Sequence, residues 1–498
     1  MANGHQDIVL SGPGVKAQHH FHMTYPDLHL LVDGEQLGAS GRRTIPVLNP
    51  ATGASLGELP LATTADLDRA LAAAARTWPA WRALGPRERA RILQKAAQLL
   101  RERSDAIARI ATLEEGKTLG EARAELAAAA EIFDWYAEEG RRAYGRVLPQ
   151  RVPGMRMTVV KEPVGPVAAF APWNFPLGNP ARKLGAALAA GCTLILKPAE
   201  ETPASALAVA AALVDAGVPA GVMQIVFGEP AEVSHQLVSS PVIRAVHFTG
   251  SIPVGKQLTQ LAAAGMKRTT MELGGHAPVL VFDDVDVDAV LDLALPAKFR
   301  NAGQVCVSPT RFYVQEGIYE RFAAGFAERV RALKVGDGLD PAVRMGPLAH
   351  QRRIPAVAGL IDEAVRDGAR LLVGGKQLPG PGFFYAPTVL ADVPESSRIM
   401  NEEPFGPVAL LRPFRGLDEA VASANRLPYG LAAYAFTQNA RRVNLLGEQV
   451  ESGMLGINSF TIAMPEAPFG GVKESGHGSE EGIEGLESCL VTKFITES

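Results

Sequence analysis

From Thr158 onward, short apolar runs recur along the chain, at Val164 to Phe170, Thr193 to Leu196, Met223 to Phe227 and Ala245 to Phe248, and stretches of helical spacing separate them. Such runs are strands buried on both faces, and strands that alternate with helices pair in parallel through crossover connections. The pattern predicts an α/β fold built on a parallel sheet. It resumes after Glu272, with Ala277 to Phe282 as a further apolar run and helical patterns from Tyr319 to Leu333 and from Arg353 to Gly368, so a second α/β domain is expected.

Ahead of the first sheet, Leu28 begins a strand that runs into an Asp-Gly turn, and Ala65 to Glu139 reads as helical. Leu93, Ala96, Ala97 and Leu100 recur there at three- and four-residue spacing between charged positions, as an amphipathic helix requires. Arg141 to Lys161, basic and rich in strand formers, differs from both neighbours and is expected to protrude as an arm. A chain of 498 residues exceeds one ordinary core, so two to three domains are expected.

Function classes narrow quickly. Net charge is -4, with Lys and Arg interspersed among Asp and Glu, which offers no electrostatic footprint for nucleic acid or an anionic membrane. Pro163 to Ala181 is uncharged and long enough to cross a bilayer, but five prolines and two asparagines rule out a membrane helix. Cys192, Cys306 and Cys489, odd in number and widely spaced, suit neither a disulfide framework nor a metal cluster. A reducing compartment and no metal are expected. No basic segment followed by an apolar one opens the chain, so the expected location is cytoplasmic. Residues 1–22, aperiodic and with His19, His20 and His22 close together, are read as a disordered extension rather than a metal site.

Chemistry is concentrated in a few segments. Cys306, in Gly-Gln-Val-Cys-Val-Ser-Pro, is either a small core residue or a nucleophile; its polar neighbours fit a loop or helix start where backbone amides would favour a thiolate. Glu272 ends a predicted strand and precedes two glycines, which fits a general base whose pKa burial raises, or a surface glutamate. Asn174, in Pro-Trp-Asn-Phe-Pro, sits on a rigid turn that would aim its amide as an oxyanion donor. No GxGxxG follows any strand. Instead Phe248-Thr-Gly-Ser, with Gly250 and with Ser251 able to cap the next helix, offers a seat for a pyrophosphate. Lys197 and Glu200 stand where a strand ends, as ribose ligands would, and a carboxylate there repels a 2′-phosphate. Glu403 and Phe405, between turn formers, suit a second ribose and a nicotinamide.

In this order, Pro-Trp-Asn-Phe-Pro, Lys-Pro-Ala-Glu, Phe-Thr-Gly-Ser, Glu-Leu-Gly-Gly, Gly-Gln-Val-Cys, Glu-Glu-Pro-Phe-Gly-Pro and Pro468-Phe-Gly-Gly resemble the aldehyde dehydrogenase superfamily, from about Leu28 to Ile495. The resemblance implies two parallel-sheet α/β domains plus a β oligomerisation arm. A cofactor domain would span 23–144 and 164–273, a catalytic domain 274–472, and the arm 145–163 and 473–498. Cys306 would be the nucleophile, Glu272 the base, Asn174 an oxyanion donor together with the Cys306 amide, and Lys183 the active-site lysine. Trp173, Lys197, Glu200, Gly250, Ser251, Glu403 and Phe405 would hold the cofactor. Glu200 favours NAD, although relatives carrying this acid also accept NADP, and Glu272 favours hydrolysis to the carboxylic acid. A homodimer or homotetramer is implied.

Around Met266 to Pro278 and Ala297 to Cys306 the chain looks closest to bacterial α-ketoglutarate and succinate semialdehyde dehydrogenases. Arg182 and Arg300 resemble positions that bind the substrate carboxylate there, a task suited to a planar guanidinium. The substrate would be succinate, glutarate or α-ketoglutarate semialdehyde. Met464 departs from the serine of the animal enzymes, and Ser308 replaces a second cysteine, so no disulfide switch is expected. A broad-specificity aldehyde dehydrogenase and a non-enzymatic structural member stay open as alternatives.

Overall fold

The computed structural model describes residues 25–498, and the extension assigned to residues 1–22 lies outside them. Two sheets organise the chain. In the first, five parallel strands lie in the spatial order Met223–Ile225, Leu194–Lys197, Val167–Phe170, Ala245–Thr249 and Arg268–Glu272. The order of connection reverses at Val167–Phe170, which places a crevice at the carboxyl ends of that strand and its neighbour Ala245–Thr249. Leu30–Val32 and Gly476–His477 add antiparallel at the two sides, the former extended by Glu35–Leu37.

The second sheet runs Arg370–Val373, Thr388–Ala391, Val408–Phe414, Pro309–Gln315, Ala277–Val281, Ala432–Phe436 and Met454–Ile457, parallel except at its first edge strand. The central strands of both sheets are buried on both faces, as their unbroken apolar sequence requires. The expected alternation is therefore present, with antiparallel edges that short runs such as Arg370–Val373 did not announce.

The helical opening belongs to the first sheet. Leu93, Ala96, Ala97 and Leu100 lie on the buried face of Pro86–Glu102, and the helices Thr64–Ala83 and Leu119–Glu139 share one apolar core with the sheet. Both of the latter helices start with a capping box, Thr63 with Asp66 and Thr118 with Glu121. The second sheet has its own core, from Ala277 to Phe469. Leu490–Glu497 pairs antiparallel with Arg156–Pro163, which pairs in turn with Arg146–Leu148. This three-stranded sheet leaves Val147, Phe494 and Ile495 exposed. No described helix is long and apolar enough to cross a membrane.

Candidate active site

Glu272 closes the last parallel strand of the first sheet, and five residues later Ala277 opens the second sheet. The Gly274-Gly275 step between them lets three groups crowd together. A Cβ on Gly274 would stand 2.5 Å from a Glu403 carboxylate oxygen, and one on Gly275 would stand 3.1 Å from the Cys306 carbonyl oxygen. The two sheets therefore meet at the three segments from which chemistry was expected.

Cys306 is half-buried in a turn just before the strand Pro309–Gln315, not at a helix start. The backbone before it takes left-handed conformations at Asn301, Ala302 and Gly303, with φ of 52°, 51° and 71°. A side chain at Gly303 would meet the Gly406 carbonyl at 2.2 Å, so only glycine fits there. Without a helix N-terminus to favour the thiolate, burial and then the Glu403 carboxylate push the Cys306 thiol up to about 12, opposed by Arg182 and Arg300. Burial also pushes Glu403 up to about 8.

Asn174 is buried, and its Nδ2 donates to the Gln304 carbonyl at 3.1 Å. An amide nitrogen carries two N–H groups, so one is anchored on the nucleophile's own loop while the other stays free for an oxyanion. The Cys306 N–H has no acceptor among the described residues. Both carboxylate oxygens of Glu272 are buried and unpartnered. Burial raises its pKa well above the usual carboxylate range, Glu480 adds to the rise, and Lys183 and Arg182 work against it.

Behind Glu272 stands a set of charges that the sequence reading did not assemble. Lys183 Nζ, fully buried, donates to Glu480 at 2.6 Å and to Thr249 Oγ1 at 2.6 Å. Arg182 Nε donates to Glu481 at 2.8 Å, with the guanidinium 4.3 Å from the Phe469 ring centre. The partners lie 297 and 299 residues away, brought in where Gly476–His477 joins the first sheet. Arg300 differs from Arg182. It is exposed and makes no ion pair among the described residues, and its guanidinium lies 5.9 Å from the centre of the Phe175 ring. Arg300 lines a cavity of about 1230 Å³ together with Leu119, Phe299, Tyr434 and Phe460. Tyr434 connects this cavity to the nucleophile, because its hydroxyl donates to the carbonyl of Val307 at 2.7 Å.

The remaining candidates gather around the crevice. Lys197 Nζ pairs with Glu200 at 2.6 Å, and Glu200 also accepts from the Gly228 N–H. Ser251 occupies the N-cap of the helix Ile252–Ala263 but makes no capping bond, which leaves its hydroxyl and the helix start for a ligand. Gly250 bonds back to Glu272, donating to its carbonyl at 3.0 Å. Trp173 stands edge-on to Phe405, 5.6 Å between centroids, and Phe405 is held at a φ of 41° while Arg353 binds its carbonyl. These groups fit a dinucleotide: a free helix start suited to phosphate, a carboxylate at a strand's carboxyl end suited to ribose hydroxyls, and a buried acid and an aromatic from the same turn.

Comparison with known proteins settles the class. The model of the aldehyde dehydrogenase family matches residues 37–495. This chain belongs to that family. It is 51% identical to the 4-(hydroxymethyl)benzenesulfonate dehydrogenase of Comamonas testosteroni over 94% of this chain and 97% of the relative. Identity to the NADP(+) succinate-semialdehyde dehydrogenase of Escherichia coli is 45%, over 93% and 96% of the two chains. Among solved structures, the betaine aldehyde dehydrogenase of Staphylococcus aureus in complex with NAD+ superposes with a TM-score of 0.92 at 33% identity, covering 94% of each chain. The chain is thus an NAD- or NADP-dependent aldehyde dehydrogenase, with semialdehyde dehydrogenases among its relatives.

Proposed function

We propose that this enzyme oxidises an aldehyde carrying an anionic group at its far end, in the first place succinate, glutarate or α-ketoglutarate semialdehyde, to the corresponding diacid. The observation that carries this reading is Arg300, an exposed guanidinium without an ion-pair partner among the described residues, on the wall of the cavity that Tyr434 links to the Cys306 turn. A guanidinium left without a counter-ion on the wall of a cavity is ready to receive one from a ligand. Arg182 shares the task to a lesser degree, since Glu481 already occupies its Nε.

The residues then act in sequence. Deprotonated Cys306 attacks the carbonyl carbon, and the free N–H of Asn174 and the Cys306 amide receive the developing oxyanion. Collapse of the thiohemiacetal expels hydride and leaves a thioester on Sγ. Trp173, Lys197, Glu200, Gly250, Ser251, Glu403 and Phe405 would hold a nicotinamide dinucleotide, which when bound would supply the hydride acceptor. Glu272 then takes a proton from water, the hydroxide adds to the thioester, and the acid departs with the thiol restored. Lys183, fixed on Glu480 and Thr249, places a positive charge near Glu272 and favours its ionised form. Residues 145–163 and the terminal strand form the arm of a homo-oligomer.

Two of the relatives are named for compounds with an anion distant from the reacting carbon, one a carboxylate and the other an aryl sulfonate. A sulfonate on an aromatic aldehyde is therefore the second reading, and the cavity walls of Phe299, Tyr434 and Phe460 favour it. Formation of NADH or NADPH with succinate semialdehyde, glutarate semialdehyde, 4-sulfobenzaldehyde and butanal tests both readings. Higher kcat/KM for the anionic aldehydes than for butanal is expected, and equal values would refute the assignment.

A further inference from the structure

The main-chain carbonyl of Asn174 receives two donors. Lys117 Nζ and Asn301 Nδ2 each donate to it at 2.9 Å. Neither residue was among those expected to serve the chemistry, and both are buried. Asn301 opens the left-handed run that leads to Cys306, so this single oxygen links the oxyanion donor's backbone to the nucleophile's loop.

Lys117 is held in turn. Its ammonium pairs with Glu125 at 2.6 Å and lies 4.5 Å from the centre of the Phe175 ring. Burial alone would lower its pKa, but Glu125 and Glu115 outweigh that and keep it charged. The other oxygen of Glu125 accepts the N–H groups of Leu177 and Gly178, at 2.8 and 3.0 Å, where the helix carrying Arg182 and Lys183 begins. One turn before Glu125, on its own helix Leu119–Glu139, Glu121 accepts the Asn301 N–H at 2.9 Å while its second oxygen serves the Thr118 capping box. Two carboxylates four residues apart share one helical face, so Leu119–Glu139 grips both halves of the oxyanion site.

We propose that Lys117 is a positioning residue for catalysis: together with Asn301 it clamps the Asn174 carbonyl, and so sets the distance between the Asn174 amide and Cys306. The proposal rests on the reading of Asn174 as an oxyanion donor. A buried ammonium is costly to desolvate, and here it is spent on one carbonyl and one carboxylate beside the reacting atoms. Oxyanion donors contribute only when they stand within a few tenths of an ångström of the developing charge, so loosening this clamp slows the chemistry without weakening substrate binding.

The test is a double-mutant cycle on the full chain, read as the rate of the first NADH turnover. Asn174→Ala alone is expected to slow it by about 10²–10³. Lys117→Met leaves Glu125 bonded to two N–H groups and is expected to slow it by about 10–10², with aldehyde KM and the rate of Cys306 alkylation by iodoacetamide within about twofold of the parent. In the Asn174→Ala background the same substitution should cost less than about twofold, because no amide remains to be positioned. Should Lys117→Met fail to fold, Asn301→Gly, which tolerates the left-handed backbone, carries the same comparison. An equal loss in both backgrounds, or no loss from Lys117→Met, overturns the positioning role alone. An unchanged rate for Asn174→Ala overturns the oxyanion reading on which it rests.

Discussion

Replacing Arg300 with methionine removes the guanidinium and keeps most of the stem. Two charges 4 Å apart attract by about 4 kcal/mol at the effective dielectric of a partly shielded site and by about 1 kcal/mol in open water. Arg300 is exposed where it lines the cavity, so the lower part of that range applies. A loss of about 1–2 kcal/mol corresponds to a five- to thirtyfold fall in kcat/KM for succinate semialdehyde. Butanal, of equal length and without the carboxylate, should be unaffected. Added salt should shrink the parent's preference for the charged aldehyde and leave the variant's unchanged. Arg182→Met serves as the contrast. It strands Glu481, whose side chain is 3% exposed, and should destabilise the fold by about 3 kcal/mol while slowing both aldehydes, the charged one only slightly more. If Arg300→Met slows succinate semialdehyde and butanal alike, or neither, the guanidinium does not read the anion and the substrate assignment fails.

Other consequences follow from the site's charges. Glu272 and Cys306 both have pKa values raised by burial and both act deprotonated, so kcat/KM should climb with pH through the neutral and alkaline range. The same rise in the Glu272 pKa means that the folded chain loses stability as pH climbs from the unfolded glutamate value toward the folded one. Glu272→Gln should therefore raise the melting temperature more at pH 8 than at pH 5, and a thermal denaturation series checks this. Glu200→Gln removes the carboxylate expected to repel a 2′-phosphate, and the ratio of kcat/KM for NADP over NAD should rise by about tenfold, measured at fixed aldehyde.

What could be read in the sequence was whatever depends on near neighbours. The strand ending at Thr249 followed from an apolar run cut by glycine, that at Glu272 from the two glycines after it, and Ser251 at a helix start followed from the first transition. The buried face of Pro86–Glu102 followed from its spacing. Glu480 and Glu481 gave no local sign, because their meaning comes from Lys183 and Arg182 nearly 300 residues earlier. Arg182 and Arg300 look equivalent as letters, yet Arg182 is paired with Glu481 and Arg300 has no ion-pair partner among the described residues. Cys306 was expected to gain a thiolate-favouring amide cluster. Instead the chain runs left-handed at Asn301–Gly303, which no composition rule signals at Ala302, and burial together with the Glu403 charge opposes ionisation of the thiol.

The central claim is that catalysis runs through a covalent acyl group on Cys306 that Glu272 then helps to hydrolyse. Glu272→Gln, mixed with cofactor and succinate semialdehyde and followed by absorbance and by mass spectrometry of the digested chain, tests it most directly. A burst approaching one NADH per site, almost no further turnover, and a succinyl adduct on the peptide containing Cys306 are expected. Sustained turnover at the parent rate, or an adduct confined to Cys192 or Cys489, would contradict it.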